Sequence, residues 1–364
     1  MNELERLAGN VIVCGFGGVE APATVQRWLS EESVAGLILF KRNIDSLDQA
    51  AALITSCTTG GDRAHPILVC VDQEGGRVAR FSEPVLRLPP MRTLAAAGDT
   101  QLTRDAAEVL GRQLRAIGIN LDFAPVLDVD TNPDNPVIGD RAFGCTPDVV
   151  IKHALAFADG LHDGGVLSCG KHFPGHGDTD LDSHLALPTL RHDRARLDEV
   201  ELRPFRAAAQ RLPSVMTAHV VFEAVDANAP ATMSPTAIGK LLRQDLGFDG
   251  AVFSDDLEMK AVTERYSIEE AGVLAIEAGC DLLLVCSDLE AAARVRETLA
   301  TEAGRNVPFR ARLTEARSRA DALRRRVHDL PPAVPLRNAL DSAEARSVTE
   351  RLQRLEREPV DVLS

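Results

Sequence analysis

At 364 residues the chain is long enough for one large barrel or two modest domains. Its net charge of -14 and pI near 5.2 exclude nucleic acid and anionic membranes as main partners, since both need a basic face. Hydrophobic residues at 45 % supply a sizeable core, and with aromatics at 4 % that core is mostly Leu, Val, Ile and Ala.

The opening MNELERLAGN has no apolar h-region, so no signal peptide is read there, and no later run is long enough to span a membrane. Eight apolar runs follow in order: VIVCGF (11–16), AGLILF (35–40), ILVCVD (67–72), INLDFAPV (119–126), GVLSCG (165–170), SVMTAHVVF (214–222), GAVFSD (250–255) and DLLLVC (281–286). Runs without strict alternation suit parallel strands covered on both faces. Between them lie helical patterns at 105–118, 149–165 and 268–279. Eight strands alternating with helices predict an α/β fold, a single (β/α)8 TIM-like barrel over 1–330. A doubly wound open sheet is the alternative.

Two connections are long, 77–103 and 127–146, and both are expected to rim a pocket. Past Pro308 an amphipathic helix closes the pattern. Pro331, Pro332 and Pro335 then break the chain, leaving 331–364 as a linker and a charged C-terminal helix with few apolar residues. That helix is expected to be an appendage or a partner-contacting tail. The seven cysteines are scattered and form no CxxC pair, so zinc-ribbon and thiol-redox readings fall away. A reducing, cytoplasmic setting is the expectation.

Barrel enzymes place their chemistry on the loops after the strands' C-terminal ends. Here Asp72-Gln73-Glu74-Gly75-Gly76-Arg77 follows the third run, Asp128 and Asp130 the fourth, and Lys171-His172 the fifth. His219 lies late in the sixth, and Ser254-Asp255-Asp256 ends the seventh. The densest stretch is KHFPGHGDTDLDSHLALP (171–188), with three histidines and three aspartates around two glycines. Groups this polar are poor core material, so function is the better reading and a surface loop the plain one.

His172 and His176 have the i,i+4 spacing of a helical metal pair, but Pro174 and Gly175 between them oppose a helix, and no HExxH glutamate is present. No metal is expected. GFGG at 15–18 has Glu20 where a dinucleotide loop needs glycine, and neither GxxxxGK[ST] nor GxSxG occurs. No cofactor is expected. What remains is Asp255 or Asp256 opposite Asp182-x-His184, a carboxylate nucleophile facing a carboxylate-polarised imidazole, which fits retaining glycoside hydrolysis. From the residues alone, Asp182 and His184 fixing their loop is the other reading.

These segments resemble the family-three glycoside hydrolases of the exo-β-N-acetylglucosaminidase type. The resemblance rests on 171–188, on GFDGAVFSDDLEM (247–259), on DQEGGRV (72–78) and on IGDRAF (138–143), in the right order over residues 10–330. It implies Asp255 as nucleophile, His184 as general acid/base and Asp182 as its partner. It also implies Asp72, Arg80, Arg141, Lys171 and His172 as contacts to a terminal N-acetylglucosamine, with Met216 and His219 nearby. The implied substrate is a small glycan, N-acetylglucosaminyl-muramic acid fragments of peptidoglycan. A phosphorylase using the same residues is one alternative, and a non-catalytic sugar-binding barrel is another.

Overall fold

The structure, a computed structural model, describes residues 2–59, 63–180 and 187–357. Eight strands form a closed barrel: β1 (Ile12–Cys14), β2 (Gly36–Leu39), β3 (Leu68–Val71), β4 (Leu121–Asp122), β5 (Leu167–Phe173), β6 (Ser214–Thr217), β7 (Ala251–Asp256) and β8 (Leu282–Val285). Every strand pairs in parallel with its sequence neighbours, and β8 returns to β1 with Val13 opposite Leu284. The open-sheet alternative is thereby overturned. Six strands fall inside the expected apolar runs, and β5 and β7 begin inside theirs and run on to Phe173 and Asp256.

The strands are buried on both faces, which is why they read as unbroken apolar runs. Inward residues such as Val13, Ile38, Cys70, Phe123, Cys169 and Phe253 fill the barrel, with Phe123 and Phe253 meeting edge to face at 5.2 Å. Outward residues pack against the surrounding helices in a second, larger core.

The N-terminal mouth is closed by the Val307–Arg326 helix. Its Ala320 and Leu323, with Val327 and Leu330 just beyond, join the barrel interior. Arg324 is buried there and donates to the Pro66 carbonyl at 2.7 Å and to Asn10 Oδ1 at 2.8 Å. The C-terminal mouth is left to the loops.

Two segments hold more regular structure than their sequence announces. The 77–103 segment holds a helix at Met91–Ala96, and the Thr100–Ile117 helix already begins within it. The charged tail forms helices at Leu336–Leu340 and Ala343–Arg357 that lie against Thr100–Ile117. Ala345, Val348 and Leu352 suffice to bury one face, and Arg351 bridges Asp99 at 3.0 Å and Asp105 at 2.7 Å. Among the described residues no helix is long and apolar enough to cross a membrane.

Candidate active site

A cavity of about 330 Å³ opens at the C-terminal mouth. It is lined by Asp72 and Glu74 after β3, Arg77 and Arg80 on the following loop, Arg141 from the turn at Gly139–Arg141, and Lys171 and His172 on β5. Met216 from β6 and Asp255 and Asp256 from β7 complete it, over an apolar floor that includes Ile38, Phe123 and Leu284. The barrel thus collects residues from Ile38 to Leu284, 246 positions apart in sequence, as its strand ends require.

The cationic and anionic groups of one wall are interlocked. Lys171 Nζ lies 2.8 Å from Asp72 Oδ1 and 2.5 Å from Glu74 Oε1. Arg141 grips Glu74 with two donors, Nε and Nη2, each at 2.9 Å, a bidentate pair of the kind only a guanidinium fork makes. Arg80 Nη2 reaches the other Asp72 oxygen at 2.9 Å and lies over the Phe40 ring. Burial opposes ionisation of Asp72 and Glu74, yet the adjacent Lys171, Arg80 and Arg141 outweigh it and hold both carboxyls below their ordinary values. Lys171 is likewise buried, and Asp72 and Glu74 more than offset the burial, so its ammonium is strengthened.

Asp128, fully buried after β4, fixes the end of β5. Its Oδ1 accepts the backbone N–H of His176 at 2.7 Å and of His172 at 3.2 Å, and its Oδ2 meets His172 Nδ1 at 2.6 Å. Arg141 Nη2 stands 3.4 Å from His172 Nε2. A guanidinium only donates, so Nε2 is the acceptor and the proton belongs on Nδ1, toward Asp128. No helix runs across 172–176: His172 and His176 sit with ring centroids 5.8 Å apart, and His176 turns its Nδ1 to Thr179 at 2.8 Å.

The turn after β5 depends on its glycines at two points. Gly175 has φ 138, which side chains rarely adopt, and a Cβ on Gly177 would stand 1.9 Å from the Val129 carbonyl oxygen. The loop can therefore pass close to the β4 connection only with glycine there.

At the end of β7 the surroundings change. Asp255 Oδ1 accepts the backbone N–H of Asp256 at 2.8 Å. Asp256 Oδ1 accepts from the Glu258 and Cys286 backbones at 3.1 and 3.3 Å. Among the described residues neither aspartate has a salt bridge. Burial, reinforced by the nearby Glu258 and Asp255 charges, pushes the Asp256 carboxyl up to about 7.

The expected residues divide as follows. Asp72, Arg80, Arg141, Lys171, His172, Met216 and Asp255 line one cavity. His219 is fully buried behind it, its ring between the Thr232 hydroxyl at 2.8 Å and the Asp256 carbonyl at 3.0 Å. Asp182 and His184 lie outside the described residues. Glu74 and Asp128 were named from sequence only among the polar residues at strand ends, with no role assigned. Glu74 stood inside a recognised motif and Asp128 at a strand end, but nothing in one sequence marks which polar residue receives a distant arginine.

Residues 5–312 match the glycosyl hydrolase family 3 N-terminal domain. A curated β-hexosaminidase of Idiomarina loihiensis is 40 % identical over 288 residues, covering 78 % of this chain and 86 % of that protein. The solved family 3 β-N-acetylglucosaminidase of Paenibacillus superposes with a TM-score of 0.91 at 39 % identity, over 98 % of this chain and 69 % of that one. NagZ of Neisseria gonorrhoeae, solved in complex with N-trifluoroacetyl-D-glucosamine, gives a TM-score of 0.80 at 31 % identity, covering 95 % and 98 %.

Proposed function

Because the chain belongs to glycosyl hydrolase family 3 and is a glycoside hydrolase, we propose that it removes terminal β-linked N-acetylglucosamine with retention of configuration. The observation that carries this reading is the division of one cavity into an interlocked ionic wall and a carboxylate, Asp255, without a salt bridge among the described residues. The relatives' names and the N-acetylglucosamine analogue held by the gonococcal enzyme support the sugar. A cavity of about 330 Å³ is at the small end for ligand sites, which favours a single terminal sugar over an internal stretch of polymer.

In the proposed mechanism Asp255 attacks the anomeric carbon as His184 gives a proton to the leaving oxygen. A glycosyl ester on Asp255 forms, and His184 then takes a proton from the water that hydrolyses it. Asp182 holds the imidazole's tautomer and stabilises its cation. Lys171, Arg80 and Arg141, already fixed by Asp72 and Glu74, are the donors offered to the sugar hydroxyls. The natural substrate in this reading is an N-acetylglucosaminyl-muramic acid fragment of peptidoglycan, with the cell's own wall recycling as its setting.

Trapping with a slow fluorinated N-acetylglucosaminide tests the central step. The expected result is an intact-protein mass increase of one glycosyl unit, mapped to the peptide containing Asp255. Turnover of the aryl sugar without an adduct on Asp255 rejects it as nucleophile. Release of sugar 1-phosphate in phosphate buffer rejects hydrolysis.

A further inference from the structure

Between the two cavity carboxylates after β3 stands a residue that faces the other way. Asp72 and Glu74 line the cavity, as alternate residues at a strand's end do, and Gln73 is buried outside it at 3 % exposure. Its amide is committed to the connection that follows. Oε1 accepts the backbone N–H of Arg80 at 2.7 Å and of Phe81 at 3.0 Å, and Nε2 donates to the Phe81 carbonyl at 3.0 Å. The side chain thus meets both the N–H and the C=O of Phe81, much as a facing residue in an antiparallel pair would. Its own backbone N–H is fixed in turn on Asp122 Oδ1 of β4, at 2.8 Å.

Arg80 has little else to hold it. Among the described residues its guanidinium makes one hydrogen bond, Nη2 to Asp72 Oδ2 at 2.9 Å, and its Nε is buried without a hydrogen-bond partner. The group also lies over the Phe40 ring, 5.3 Å from the centroid. Arg141 differs, because it grips Glu74 with two donors and the Val137 carbonyl with a third at 3.1 Å. A long side chain with one hydrogen bond retains rotamer freedom unless its backbone is fixed. Gln73 follows Asp72 directly in the chain, so its amide sets the Arg80 backbone against the same carboxylate that Arg80 Nη2 must reach.

We infer that Gln73 is a positioning residue for substrate binding: by holding the Arg80 backbone beside Asp72, it keeps the guanidinium at the cavity wall as a donor to the sugar. This rests on Arg80 being such a donor in the proposed function. Satisfying two buried N–H groups and a carbonyl is also what any loop requires. The positioning role goes further, because it makes the effect of Gln73 on sugar binding pass through Arg80. A purely structural amide would weaken the fold without that dependence.

The test is a double-mutant cycle on the full chain, read as KM and kcat for 4-nitrophenyl N-acetyl-β-glucosaminide. Arg80→Ala is expected to raise KM about 10- to 100-fold, the scale of a hydrogen bond from a charged donor. Gln73→Leu is expected to raise KM about fivefold with kcat within about twofold, since binding lost equally from ground and transition states leaves kcat alone. In the Arg80→Ala background the same substitution should change KM by less than about twofold. Effects that multiply, an unchanged KM in the parent background, or a loss confined to kcat each overturn the positioning role alone. Should Gln73→Leu not fold, the cycle is run with Gln73→Asn, whose amide falls one methylene short of the loop. If Arg80→Ala leaves KM unchanged while turnover persists, the sugar-holding role of Arg80 and the inference fall together, and the hydrolase reading stands. No turnover by the parent rejects the N-acetylglucosaminidase reading, and the inference with it.

Discussion

The two walls of the cavity handle buried charge in opposite ways. Around Lys171 every described charge has a partner of the other sign: Asp72 and Glu74 face Lys171, Arg80 and Arg141 within 2.5–2.9 Å. At the end of β7 two carboxylates stand next to one another with backbone N–H groups as their donors among the described residues. A wall whose charges are already matched is rigid and offers fixed donors to a ligand. A carboxylate with no cation clamped on it keeps its lone pairs for a carbon. The contrast separates holding from reacting, and six substitutions can break it or sharpen it.

The largest effect belongs to the reacting wall. Asp255→Ala is expected to lower turnover of an aryl N-acetylglucosaminide by at least about 10⁴-fold, the scale on which loss of a nucleophile is felt. Its melting temperature should hold, because no salt bridge is broken among the described residues. A loss under tenfold would dissolve the division between the walls.

On the holding wall the main loss is stability. Lys171→Met leaves Asp72 and Glu74 facing each other without the ammonium, and stranding buried charge costs about 3–5 kcal/mol. Chemical denaturation should show it. Arg141→Ala should add a strong rise in KM, since the guanidinium both clamps Glu74 and faces the cavity. If Lys171→Met is as stable as the parent, the ionic wall is not a structural unit.

The same contrast gives opposite pH slopes. Asp72 and Glu74 are depressed on folding, so their contribution is present above the ordinary carboxyl range and lost as pH falls through their folded values. Asp256 is raised from 3.8 to about 7. Between those values the folded state binds the proton more tightly than the unfolded one, so its contribution declines as pH rises from about 4 to 7. Asp256→Asn should flatten that decline in melting temperature. Asp122, pushed up to about 8 by burial, has the same sign and remains in the variant, so the slope is reduced and not abolished. An unaltered slope would place the Asp256 carboxyl in the ordinary range.

Much of this was legible in the sequence for a physical reason. Strands buried on both faces read as apolar runs, and the polar residues ending them necessarily meet at one mouth. Pairings across the mouth were not legible. Glu74 reaches Arg141, 67 positions on, and His192 reaches Asp178 from outside any motif. Such choices are set by loop geometry that a one-dimensional pattern does not carry. The tail shows the same limit. Ala345, Val348 and Leu352 were too few to announce a core, but with Arg351 on two barrel aspartates they suit one helix face. The helix inside 77–103 was hidden by the flanking Pro and Arg residues that made the whole segment read as loop.

The smallest expected effect falls on the neighbour of a large one. Asp140 and Arg141 are adjacent in sequence, and both belong to ion pairs with residues of the β3 connection. The Arg77–Asp140 pair at 3.2 Å has both side chains about half exposed, whereas Arg141 and Glu74 are 10 % and 2 % exposed. Water already solvates the Asp140 carboxylate, so losing its charge removes a screened attraction worth about 0–1 kcal/mol. Arg77 also keeps its donations to the carbonyls of Val137 at 2.6 Å and Ile138 at 3.1 Å without Asp140. Asp140→Asn should therefore shift stability by less than about 0.5 kcal/mol, while Glu74→Gln costs several times that. Equal costs for the two would mean that burial is not what separates these pairs, and the ionic wall would then differ from the rim only in position.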